Sequence, residues 1–75
     1  MNTLSNLAVA TRMRTGLTAP SYIALLKKQI ASDYGLKIKA RSIPATLKEA
    51  AAQLSEAQIE KAMRTMAAAN SRTHG

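Results

Sequence analysis

Two groups of side chains in this sequence have types and spacings that could do chemistry. Lys37, Lys39 and Arg41 alternate with Leu36, Ile38 and Ala40, a two-residue period that puts three cationic heads on one edge and three apolar groups on the other. Gln58, Lys61 and Arg64 recur at three-residue steps, just after Ser55, and such steps share the outer side of a helix. Rows of ammonium and guanidinium groups neutralise phosphates, and Gln and Arg can pair with base edges. Each group also has a plainer explanation. Alternating cations on a solvated edge discourage aggregation, and any amphipathic helix displays polar side chains.

Acid–base and nucleophilic chemistry find no comparable support. His74 is the lone imidazole and falls in a terminal tail where nothing would orient it. The acids are Asp33, Glu49, Glu56 and Glu60, and three of them read as helix caps or dipole partners, which leaves no general acid and base pair. The three glycines, at 16, 35 and 75, head no phosphate-cradling pattern, and the absence of cysteine removes thiolate sites and disulfides. The sequence therefore predicts no enzyme, no metal and no cofactor.

Charge points to an anionic partner. Eleven Lys and Arg oppose four acids for a net charge of +7, which suits a polyanion or an acidic protein surface. Arg12 and Arg14 interrupt the one apolar stretch near the start, so no window reaches the roughly 18–20 residues of a membrane span. Thr3 to Ala10 is too short and mixed for a leader, so a soluble cytoplasmic protein is expected.

The elements that must position these groups are mostly helical. Fifteen alanines and only two aromatics, Tyr22 and Tyr34, give a plentiful but small-bodied apolar content. A first helix is predicted from Thr3 to Arg14, with Leu4, Leu7, Ala8 and Thr11 on one face. Gly16 to Pro20 reads as a break. Tyr22, Ile23, Leu26, Ile30 and Tyr34 then mark the apolar side of a second helix, with Lys27, Lys28 and Gln29 turned away. After Gly35 the alternation over 36–41 predicts a short strand, with an extended loop as the alternative. No second alternating stretch could pair with it, so a ladder partner would have to come from another copy.

Ile43-Pro44 is expected to stay extended up to Thr46, which with Glu49 has the spacing of a capping box for a third helix. Ser55 with Gln58 repeats that spacing and opens a fourth helix to about Ala69, whose inner face would be Ile59, Ala62, Met63 and Met66, with Glu60 and Arg64 as a flanking pair. The expected architecture is a single all-α domain of three or four helices: residues 1–19 form the first helix and break, 20–69 the body, and 70–75 a frayed tail.

From Thr46 to Ala69 the chain resembles the helix-turn-helix of bacterial, phage and plasmid repressors. The likeness lies in Glu49-Ala50-Ala51 with Leu54 behind it, and in the Ser55 cap followed by Ile59 and Met63. That resemblance implies a recognition helix with Gln58, Lys61 and Arg64 outward and Ser55 and Ala57 near the groove floor. The glycine and apolar residue usual between the positions of Leu54 and Ser55 are lacking, which tightens the turn. The span from Leu36 to the end of the fourth helix also resembles the ribbon-helix-helix repressors, which would make Lys37, Lys39 and Arg41 groove-facing and supply the missing strand by dimerisation.

The function expected from these readings is non-catalytic binding of double-stranded DNA by a homodimer acting as a phage- or plasmid-type transcriptional regulator. Arg12, Arg14, Lys48 and Arg72 would add to the attraction, and about six phosphate contacts would give a log-log salt slope near −5. The alternative is a small phage-type protein that inhibits or adapts an acidic host protein through a helix face.

Overall fold

The computed structural model describes residues 3–71 as four α-helices: α1 (Thr3–Thr15), α2 (Ala19–Tyr34), α3 (Ile43–Ala51) and α4 (Glu56–Ala69). The tail residues Arg72 and His74 lie outside the described residues. α2, α3 and α4 each begin on a hydroxyl cap. Thr18, Ser42 and Ser55 accept from the amides of Ser21, Ala45 and Gln58 respectively, filling a donor that has no partner inside the helix. At Ser55 the exchange is reciprocal, because Gln58 Oε1 accepts from the Ser55 amide at 2.9 Å. This is the capping box expected at the start of α4. Gly16 and Gly35 both adopt φ 68°, the left-handed conformation that closes a helix at low cost only for glycine.

α4 is the element around which the others pack. Its inner face, Ile59, Ala62, Met63, Met66 and Ala67, is buried, and it meets α1 on one side and α2 on the other. Leu26 and Ile30 of α2 and Leu47 of α3 complete the core with Leu4 and Ala8 of α1. Ala8, Ala50, Ala62 and Ala67 are all buried, and these small side chains let backbones approach closely. The first helix thus packs on its own chain. No helix among the described residues is long and apolar enough to cross a membrane.

Two expectations fail here for physical reasons. Helix α3 is capped by Ser42, four residues before the expected Thr46, so Ile43 and Pro44 are helical and not extended. Proline in a first turn forfeits no hydrogen bond and brings its φ already set, which outweighs the extended preference of the residue before it. Thr46 is instead an interior helical residue with a buried, unpartnered hydroxyl. Glu49 caps nothing on its own helix; its Oε2 accepts from the Lys39 amide at 3.1 Å.

The second correction is the strand. Residues 36–41 form no β-ladder; they are an extended strap with the predicted sidedness. Ile38 is buried, Leu36 and Ala40 are half-buried, and Lys37, Lys39 and Arg41 are exposed. Side chains from neighbouring helices serve the backbone groups a second strand would have met: Glu49 takes the Lys39 N–H, and Lys27 Nζ donates to the Ala40 carbonyl at 3.0 Å. Alternation of apolar and polar residues records one face in and one face out, which a strap lying on helices satisfies as well as a sheet does.

Candidate nucleic-acid interface

The strap begins where Gly35 turns the chain out of α2, its amide donating to the Ala31 carbonyl at 2.9 Å. It then runs back along α2. Lys27, midway up that helix, reaches Ala40, and Arg41 borders a shallow hollow of about 350 Å³ with Pro20, Ile23, Ala24 and Lys27 near the helix start. Lys27 is therefore half-buried and engaged with the strap, not turned to solvent as its position on α2 suggested. Alternate residues of an extended segment are about 6.5 Å apart, so Lys37, Lys39 and Arg41 form a ridge of three positive heads spanning roughly 13 Å.

At the root of this ridge, the Tyr34 hydroxyl donates to the Gln58 carbonyl at 3.3 Å. This contact brings the first turn of α4 against the end of α2, where the strap departs. Ser55 and Gln58 lie at that turn, with the Ser55 hydroxyl and the Gln58 side-chain carbonyl already used in the cap. Farther along α4, Ala57, Lys61, Arg64, Thr65 and Ala68 are all exposed. Their three- and four-residue spacing makes one outward stripe. Its small members leave the helix backbone approachable, which a helix lying in a major groove requires.

Electrostatics differ between the two features. Among the described residues the one ion pair is Arg64–Glu60 at 3.5 Å, an i,i+4 pair between an exposed guanidinium and a half-buried carboxylate, a type that contributes little at a protein surface. None of Lys37, Lys39 or Arg41 has a carboxylate partner, since Glu49 meets the strap at a backbone amide. The remaining cations are spread over other parts of the surface. Arg12 Nε donates to the Leu17 carbonyl at the end of α1, Lys28 lies with Met66 and Asn70 at the far end of α4, and Lys48 sits by Leu4 and Ser5. The cations thus fall into the strap ridge with Lys27, the outer stripe of α4, and single side chains elsewhere.

Three positioning residues escaped the sequence reading. Glu49 read as the capping partner of Thr46 and Lys27 as an outward helix charge, and neither carries a signal that it would fasten a distant backbone. Tyr34 did carry one: a tyrosine on a helix's apolar side needs a partner for its hydroxyl. Helices α3 and α4 are separate, joined by residues 52–55, with amides 52, 53 and 54 closing back onto the last turn of α3. Compared with known protein families, curated proteins and solved structures, the chain matches none.

Proposed function

We propose that the protein is a non-catalytic, cytoplasmic double-stranded DNA-binding regulator that sets the outer stripe of α4 into the major groove and lays the strap along the neighbouring phosphates. The observation that supports this reading is the contact of Tyr34 with Gln58, which ties the end of α2, where the strap of three cations without carboxylate partners departs, to the first turn of α4. Lys37, Lys39 and Arg41 supply phosphate contacts, Lys61 and Arg64 supply phosphate or base-edge contacts, and Ser55 and Gln58 fix the helix start. A homodimer would offer two such surfaces to half-sites about one DNA turn apart.

The test is fluorescence anisotropy with a random duplex of about 20 base pairs, titrated between about 50 and 200 mM salt. Five cations on phosphate predict a log-log slope of about −4.5. Absence of binding at the low-salt end, or an affinity indifferent to salt, contradicts the reading.

A further inference from the structure

α1 carries apolar residues on both its faces. Its inner face includes two buried threonines, Thr11 and Thr15, whose hydroxyls are satisfied by the Leu7 carbonyl at 2.8 Å and the Arg12 carbonyl at 2.9 Å. Its outer face exposes Val9 at 61% and Met13 at 77%, the two large apolar residues of the described chain most open to solvent. The pair is four residues apart, hence one above the other on the helix surface. They wall a groove of about 460 Å³ between α1 and the start of α3, whose apolar lining is Ala8, Val9, Met13, Leu17, Ile43 and Pro44. A second hollow of about 380 Å³ shares Ser5 and Pro44 with the first and continues to Leu47 and Ala51. Along α1, from Leu4 to the helix end at Thr15, the trough runs for about 17 Å, room for about three turns of a docked helix.

We propose that this trough docks an amphipathic segment of another protein whose apolar side chains are flanked by carboxylates. Charge decides the occupant. Arg12 lines the first hollow and Lys48 the second, and no carboxylate lines either. All four acids are elsewhere: Asp33 accepts from Gln29, Glu49 holds the strap, Glu56 begins α4 and Glu60 pairs with Arg64. A second copy of this chain would set one cationic rim against another with nothing to offset it. Duplex DNA would meet Val9 and Met13 with phosphates. A segment with leucine-like anchors at helical spacing and Asp or Glu beside them satisfies both the apolar floor and the rim. The trough uses none of the strap cations, so its occupancy and duplex binding are separable.

The experiment uses two fluorescent peptides of about 16 residues with the same leucines at i, i+3, i+4 and i+7, one flanked by glutamates and its twin by lysines, titrated onto the full chain. The glutamate peptide is expected to bind saturably and about tenfold or more tighter than its twin. Met13→Glu, at a solvent-exposed position, should abolish that binding with helicity and duplex binding unchanged, and the Arg12→Glu/Lys48→Glu double variant should reverse the peptide preference. Equal binding of the twins, no saturable binding, or indifference to Met13→Glu overturns the proposal. So does a dimer of the unliganded chain, seen by sedimentation, that Met13→Glu dissociates, because the trough would then belong to a second copy.

Discussion

The Tyr34 hydroxyl and the Gln58 carbonyl, 24 residues apart in sequence, meet at 3.3 Å. Because Gln58 is also the reciprocal partner of Ser55 in the cap of α4, this contact couples the end of α2 to the first turn of α4. The strap that leaves α2 one residue later therefore starts from a fixed place beside that turn. Two groups of cations far apart in the chain acquire a defined spatial relation through neutral groups, without mutual charge pairing.

Glu49 is predicted to hold the strap down. Its carboxylate accepts from the Lys39 amide at 3.1 Å, and a hydrogen bond to a charged group at a part-exposed site contributes about 1 kcal/mol. Glu49→Ala should lower stability by about that amount and accelerate hydrogen exchange at the Lys39 amide. An unchanged exchange rate would mean that the strap is positioned by Ile38 alone.

Tyr22 provides a test in alkaline solution. The Thr11 hydroxyl gives its hydrogen to the Leu7 carbonyl, so in the 2.6 Å contact between the two side chains Tyr22 is the donor. Burial raises the Tyr22 pKa above its usual 10.0. The folded state then keeps a proton that the unfolded state releases, so this contribution is fully present below pH 10 and declines as pH rises beyond it. Tyr22→Phe should cost about 1 kcal/mol at neutral pH, and the deficit should shrink above pH 10 in chemical denaturation. A deficit that grew with pH would contradict the donor assignment.

Thr46 is predicted to be replaceable with profit. Its side chain is fully buried and its hydroxyl has no hydrogen-bond partner. Thr46→Val keeps the shape and removes the unpaired group, so unfolding free energy should rise by about 1 kcal/mol, several degrees in Tm for a domain of this size. A fall in Tm would show that the hydroxyl is bound in solution.

The sequence disclosed elements where periodicity and caps agreed. Tyr22 to Ile30 and Ile59 to Met66 fell on their predicted inner faces, and Ser55 with Gln58 formed the predicted cap, because each signal is local to one or two helical turns. Misreadings arose where local signals competed or where partners were remote. Pro44 is compatible with both an extended lead-in and a helical first turn, and Ser42 settled the choice. The alternation at 36–41 gave the facing of each side chain, but its backbone partners, Lys27 and Glu49, sit on helices 13 and 10 residues away in sequence. α1 was the least legible helix, since buried threonines inside and Val9 and Met13 outside cancel its amphipathic pattern. Lys37, Lys39, Arg41, Lys61 and Arg64 were legible as residue types, whereas the Tyr34–Gln58 contact that ties α2 to α4 joins residues 24 apart in sequence.

The most direct measurement compares two triple variants with the same net charge. Lys37→Ala/Lys39→Ala/Arg41→Ala removes the strap ridge, whereas Arg14→Ala/Lys28→Ala/Lys48→Ala removes three cations located elsewhere. With duplex DNA, the strap variant should lose about 3 units of log-log salt slope and most of its affinity, and the other should keep nearly the full slope. Equal losses in the two variants would mean that binding follows total charge, and would contradict an interface built on the strap and α4.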